Sequence, residues 1–194
     1  MSSYNTMDSH SSSTINLENV FVTEANLIVD ECEGFRHIES CLPQILLCLS
    51  AEALGIMEVL NKLTVEYSKT RKQFGAPIGS FQALQHRMVD NFMAFEQSKS
   101  MVYRGICEST SFNKNDIDIN QFLKTAHAVK ALIAKNSKQI GDESIQIHGG
   151  IGMTDELNIG HFVKRLMMIN VLFGDGDFHL SLIHISEPTR QNQI

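Results

Sequence analysis

Residues 42–72 read LPQILLCLSAEALGIMEVLNKLTVEYSKTRK, and this stretch decides the fold class. Its apolar side chains recur every third or fourth residue, which is the spacing of one face of an α-helix. The stripe consists of Leu46, Leu49, Ala53, Ile56, Leu60, Leu63 and Tyr67. Pro43 fits this interpretation because proline is tolerated in the first turn of a helix. The pattern predicts a long amphipathic helix that buries one face against other helices.

Three further helical segments follow, at about residues 81–108, at about 120–147 and from about 155 onward. Ser80 is a candidate N-cap for the first of these, and Gly149 and Gly150 end the next. Four amphipathic helices joined by short polar connections are typical of an antiparallel bundle. We therefore expect an all-α fold, an antiparallel four-helix bundle with a remnant β-strand at the N-terminus.

The N-terminal residues follow a different pattern. Residues 15–24, INLENVFVTE, alternate apolar and polar side chains, which predicts a strand. A single strand cannot bury a face alone, so residues 15–33 are expected to be the remnant of a larger β-domain. Residues 1–14 are polar and serine-rich, and we expect them to be a disordered leader rather than a signal peptide.

The composition excludes several kinds of partner. The net charge is -6, and no basic track exists for a polyanion, so we expect no nucleic acid. No apolar run reaches the roughly 18 residues of a membrane span, so we expect no membrane contact. The four cysteines form no Cys-x-x-Cys pair and are expected to be buried, reduced thiols. The Glu-x-x-His motif of di-iron bundles is missing from the sequence, so we expect no metal site.

Residues 70–86, TRKQFGAPIGSFQALQH, form the first candidate site. A helix end that carries Arg71 and Lys72 opens into a Gly/Pro turn, and a new helix begins beyond it. The N–H groups of that second helix, together with two cations, suit an anionic phosphate ligand. Gln82 adds a side chain that can both donate and accept. The alternative is that Arg71 and Lys72 only offset the dipole at the end of their own helix.

Residues 146–156, QIHGGIGMTDE, form the second candidate site. Adjacent glycines at 149 and 150 allow a ligand to approach the backbone closely. The motif follows a helix and is not the G-x-G-x-x-G dinucleotide fingerprint, which follows a strand. A glycine-based helix cap explains the motif almost as well.

Taken together, the two segments resemble the acyl-CoA dehydrogenase family, which shows an R-x-x-F-G turn, a Gln at the next helix start, and later Q-x-x-G-G-x-G with a following Glu. The matching residues are Arg71, Phe74, Gly75, Gln82, Gln146, Gly149, Gly150, Gly152 and Glu156. The resemblance covers roughly residues 15–179. It implies that residues 34–179 are the C-terminal helical domain of such an enzyme and that residues 15–33 end its middle β-domain.

The resemblance also implies FAD as cofactor. The positions that match its contacts are Arg71, Lys72, Gln73, Phe74, Phe81, Gln82, Gln146, Ile147, His148, Gly149 and Gly150. Arg71 would contact the pyrophosphate, and residues 146–150 the adenosine half. In the family these groups reach an FAD held mainly by a neighbouring subunit, which implies a homo- or heterotetramer.

The reaction implied is α,β-dehydrogenation of an acyl-CoA thioester, with electrons passing through FAD to an electron-transfer flavoprotein. The family's usual base is a Glu in a turn after the fourth helix, and here Gly174 occupies its position in LFGDGD. The alternative position in the first helix falls on Ile45 or a close neighbour and is not acidic either. Asp175 is the candidate substitute, unless it only forms a turn. A non-catalytic partner subunit is therefore the alternative function, and we expect this chain alone to be inactive.

Two further expectations concern location and the end of the sequence. The family resemblance implies bacterial cytoplasm, or the mitochondrial matrix if the source is eukaryotic. Residues 180–190, LSLIHISEPTR, back-translate to a sequence that resembles a transposase adapter from sequencing libraries. Residues 180–194 are accordingly expected to be an adapter-derived tail.

Overall fold

The computed structural model describes residues 2–30, 32–114 and 116–186. Five α-helices lie within these ranges: α1 (Gly34–Thr70), α2 (Gln82–Asn113), α3 (Ile119–His148), α4 (Ile159–Val171) and α5 (Gly176–Ser186). The predicted all-α class is confirmed. The first helix begins at Gly34 rather than near residue 42, with Pro43 inside it.

Helix α3 lies at the centre of the bundle and packs against the other four helices. The fully buried apolar side chains include Leu46, Met57, Leu60, Val102, Phe122, Val129, Ile133, Ile140, Ile159 and Ile169. Small residues bring the helices close: a Cβ at Gly105 of α2 would lie 2.7 Å from Cδ1 of Leu47. This close packing sets the relative positions of the helix ends.

The buried face of α1 includes hydroxyl side chains as well as apolar ones. Ser50 and Thr64 are buried, and each donates at 2.7 Å to the carbonyl four residues earlier. Because these hydroxyls are satisfied within their own helix, they can occupy core positions. Leu63, which the apolar stripe assigned to the core, is 39% exposed instead. The spacing of apolar residues alone therefore predicts part of the buried face at the wrong positions.

The N-terminal residues differ from the prediction. Residues 2–14, expected to be disordered, contain a hairpin of β1 (Ser2–Asn5) and antiparallel β2 (Ser11–Thr14). Residues 15–23 form no strand, and Phe21 is 88% exposed. Within the described ranges no other strand pairs with them, and a strand needs such a neighbour. Short strands therefore do lie at the N-terminus, but not where the alternation placed them.

The hairpin contacts the bundle through a charged group. Asp8 accepts from Nη1 of Arg165 at 2.8 Å, and Arg165 also binds both oxygens of Glu52, at 2.6 and 2.8 Å. The hydroxyl of Thr6 and the guanidinium of Arg165 lower the pKa of Asp8. The hairpin is thus joined to α1 and α4.

Two segments, Gly34–Thr70 and Ile159–His184, are long and apolar enough to cross a membrane by length and composition. Both contribute to the core of the bundle: Leu46 and Met57 belong to the first, and Leu166 and Ile169 to the second. Core helices satisfy the same criterion, so we assign both segments to the bundle.

The cysteines lie on the outside of the molecule. All four thiols are free, but they are exposed rather than buried. On α1, Cys41 and Cys48 lie seven residues apart and so share one outer face.

The tail expected at residues 180–194 is described as far as Ser186, where it continues α5. The remainder of that expectation lies outside the described residues.

Candidate functional site

The first predicted segment forms a compact connection between α1 and α2. Strand β3 (Lys72–Gln73) pairs with β4 (Ala76–Pro77) around the turn residues Phe74 and Gly75. Both turn residues have positive φ, 53° and 81°, as the tight turns favoured in hairpins require. Phenylalanine adopts this conformation rarely, and the side chain of Phe74 is 94% exposed. A large aromatic residue is thus held in solvent at the tip of the hairpin.

A close backbone approach returns the chain from this hairpin to α1. A Cβ at Gly79 would lie 2.8 Å from Oγ and 3.1 Å from the carbonyl oxygen of Ser68, so glycine is needed there. The N–H of Ile78 donates to the carbonyl of Arg71 at 2.8 Å. The amide of Gln85 donates to the carbonyl of Gly79, also at 2.8 Å. These contacts fix the start of α2 beside the end of α1.

The N-terminus of α2 has no side-chain cap. Ser80, expected to cap it, donates its hydroxyl to the carbonyl of Pro77 at 2.6 Å, and Phe81 occupies the cap position. Gln82 is the first residue of the helix and is exposed. Uncapped N–H groups at a helix start are available to an anionic ligand. The exposed cations Arg71 and Lys72 precede this helix start by one short hairpin.

The second predicted segment begins where α3 ends. Gly149 has φ 66° and ψ -147°, a conformation available essentially to glycine alone. A Cβ at Gly149 or Gly150 would meet nothing within 4 Å, and both residues are exposed. The backbone here is therefore open to a ligand. The side chains of Ile147 and His148 are buried, so a ligand contact at those two positions falls to the backbone.

The structure brings the two segments together. The hydroxyl of Tyr67, in the last turns of α1, lies 3.3 Å from the carbonyl oxygen of His148. The two rings stack with centroids 4.4 Å apart. At the same end of the bundle, Arg87 of α2 pairs with Glu143 of α3. The apolar spacing indicates only a core position for Tyr67, although a partly buried phenol needs a hydrogen-bond partner.

The α4–α5 turn, where a base was expected, is closed around Gly174. Its φ is 103°, and a Cβ there would overlap the ring of Phe178 and lie 3.2 Å from Nε2 of His179. Asp175 accepts the N–H of Phe178 at 2.8 Å and so caps the N-terminus of α5. This bond supports the turn-forming alternative for Asp175, while its role as a base stays a prediction. Ile45 lies in α1 and is half-buried.

Buried basic groups that sequence analysis missed lie beneath this turn. Lys130 is fully buried and donates to the carbonyls of Asn170 and Gly174 at 2.9 and 3.0 Å. Burial lowers its pKa to about 8. Nδ1 of His127 lies 2.8 Å from Nδ1 of His179. Burial, then the charges of His127 and Lys130, lowers the pKa of His179 to about 4. Each of these residues is a single polar position within a helical pattern, so the sequence gives no indication that they cluster.

Metal ligands were not expected from the sequence. Among the described residues, no group of three or more His, Cys, Asp or Glu side chains is placed to hold an ion.

Comparison with known proteins identifies the domain. Residues 33–186 match the family described as acyl-CoA dehydrogenase, C-terminal domain. The probable acyl-CoA dehydrogenase YngJ of Bacillus subtilis is 30% identical over 95% of this chain and 47% of its own length. A structure described as PigA with FAD and proline superimposes with a TM-score of 0.78 at 27% identity, covering 87% of this chain and 42% of that one. Butyryl-CoA dehydrogenase of Megasphaera elsdenii gives a TM-score of 0.73 at 25% identity, covering 81% and 39%. The chain spans less than half the length of these relatives.

Proposed function

Because this chain belongs to the acyl-CoA dehydrogenase family, we propose that it supplies the part of the C-terminal helical domain that contacts FAD. One observation carries the proposal: the ends of α1 and α3 meet at Tyr67 and His148, so the hairpin of residues 71–77, here called the Arg71 hairpin, and the Gly149–Gly150 turn lie at the same end of the bundle. We propose that these two segments, far apart in sequence, form one composite surface there.

The groups on this surface suit a dinucleotide. Arg71 and Lys72 are cations, and the uncapped start of α2 offers N–H groups, which together suit a pyrophosphate. The open backbone at Gly149 and Gly150 admits the flat face of an adenosine. The exposed amides of Gln82 and Gln146 could donate and accept at polar edges. FAD, when bound, would supply the hydride acceptor of the reaction.

We propose α,β-dehydrogenation of an acyl-CoA thioester as the activity of the complete enzyme. An electron-transfer flavoprotein would accept the electrons. The FAD would be held mainly by a neighbouring subunit of a homo- or heterotetramer, with this chain completing the site. Its location would be bacterial cytoplasm, or the mitochondrial matrix of a eukaryote. The shared family and the FAD-bound relative support these proposals.

A non-catalytic partner subunit is the second candidate, and the turn at Gly174 favours it. A side chain at Gly174 would overlap Phe178, and Asp175 already caps α5. A general base needs a carboxylate that can reach the α-proton of the substrate. We therefore expect Gly174→Glu to lower the unfolding temperature and to give no acyl-CoA oxidation with a dye acceptor. Turnover by the unmodified chain would contradict the partner role.

The FAD-contact proposal is tested by titrating FAD with the purified chain and following flavin fluorescence. A saturable change in flavin fluorescence that ADP competes away is expected, because the proposed contacts are to the pyrophosphate and the adenosine half. A change that does not saturate, or that ADP leaves unaffected, would count against these contacts.

A further inference from the structure

Tyr67 links the two segments of the site through its side chain. Its ring stacks on His148 at an interplanar angle of 27°, and its hydroxyl donates to the carbonyl of the same residue. His148 is the last residue of α3, where helix carbonyls lack partners within the helix. The phenol of α1 therefore caps the end of α3 directly before Gly149.

The partner ring of Tyr67 is itself fixed. Nδ1 of His148 lies 2.7 Å from the carbonyl oxygen of Ser144, and because a carbonyl only accepts, Nδ1 carries the proton. The side chain is 5% exposed. The following turn packs back on it, since a Cβ at Gly152 would lie 3.0 Å from Cβ of His148. Movement of His148 would thus displace the glycine turn.

The backbone of Tyr67 holds the other segment. Its carbonyl accepts the N–H of Arg71 at 2.9 Å, and the carbonyl of Arg71 accepts the N–H of Ile78 at 2.8 Å. One residue therefore contacts the first residue of the hairpin connection through its main chain and the last residue of α3 through its side chain.

We propose that Tyr67 is a positioning residue that sets the spacing between the Arg71 hairpin and the Gly149–Gly150 turn. The inference rests on the proposed function in one respect: both segments contact the same FAD. Tyr67 needs no contact with the cofactor. It acts by keeping two half-sites at the separation that one dinucleotide spans, which lowers the cost of ordering them on binding.

Hydrogen–deuterium exchange tests the positioning role without any flavin. The variants are Tyr67→Leu, which removes stack and hydroxyl, Tyr67→Phe, which removes only the hydroxyl, and the control Tyr103→Leu, at a residue of α2 that is 56% exposed. In Tyr67→Leu, exchange is expected to rise about tenfold in residues 71–81 and 149–154, but not in the middle of α3. In Tyr67→Phe, exchange in the same two ranges should rise less. Faster exchange confined to residues 66–72, or a uniform rise along the chain, would overturn the proposal.

The FAD titration separates this inference from the proposed function. The FAD dissociation constant is expected to rise about tenfold in Tyr67→Leu and to stay within about threefold of wild type in Tyr67→Phe. Equal affinity in wild type and Tyr67→Leu would overturn the positioning role. If the wild-type chain binds no FAD, the proposed function fails, and the exchange pattern alone then decides whether Tyr67 couples the two segments.

Discussion

Nζ of Lys130 lies 3.0 Å from the carbonyl oxygen of Gly174, so a fully buried cation of α3 binds the turn between α4 and α5. Its second bond, 2.9 Å to the carbonyl of Asn170, falls at the end of α4, where a positive charge offsets the helix dipole. The turn is therefore held from inside the bundle, in the conformation that leaves no space for a side chain at Gly174.

This rigidity predicts that Gly174→Ala is destabilising by about 2 kcal/mol or more. A non-glycine residue at φ 103° is strained, and the new Cβ would overlap Phe178. Gly55→Ala is the matched control, because Gly55 lies inside α1 with open space around it and should gain about 0.5–1 kcal/mol. Urea unfolding of both variants measures the difference. A Gly174→Ala variant as stable as wild type would show that the turn can relax.

Asp175→Ala is expected to cost about 1 kcal/mol, because it removes the acceptor for the N–H of Phe178. Asp175→Asn should cost much less, since asparagine caps helices equally well. Thermal unfolding compares the two, with Asp177→Ala as a control in the first turn of α5. Equal losses in the alanine and asparagine variants would show that the charge of Asp175, and not its capping bond, matters.

The buried His127–His179 pair predicts a pH dependence of stability. Burial lowers the pKa of both rings, that of His179 to about 4, so the folded state binds these protons less readily than the unfolded chain. Stability is then fully present above about pH 6.5 and falls as the pH drops toward 4, by up to about 1.4 kcal/mol per pH unit for each ring.

His179→Gln should flatten this decline in the free energy of unfolding, whereas His86→Gln, at an exposed histidine, should leave it unchanged. Urea titrations at pH 6.5, 5.5 and 4.5 measure the slopes. A wild-type slope equal to that of His179→Gln would contradict the account of the pair.

Sequence patterns were sufficient for the helices and for the family. The spacing of Leu46, Ala53 and Leu60 marked a buried face, and all three are fully buried. Helix periodicity is local, so it can be read without knowing the partner helices. The alternation in residues 15–23 failed for the opposite reason: a strand depends on a neighbour, and none of the described residues provides one.

The contacts that assemble the site could not be read in the same way. Tyr67 and His148 meet only because α1 and α3 end at the same level, and their sequence separation of 81 residues carries no hint of it. Lys130 sits in a helix pattern that would suit a solvent-exposed lysine, yet it is buried and donates to the carbonyls of Asn170 and Gly174. Tertiary packing determines both the contact between Tyr67 and His148 and the burial of Lys130.

The central claim, that the Arg71 hairpin and the glycine turn together contact FAD, is tested most directly by comparing Arg71→Gln with Lys69→Gln in the FAD titration. Both residues are exposed cations near the end of α1, but Lys69 already pairs with Glu66 at 2.7 Å. We predict that Arg71→Gln weakens FAD binding about tenfold, since it loses a charge-assisted phosphate contact, while Lys69→Gln changes it less than twofold. Equal affinities in the two variants would contradict the claim.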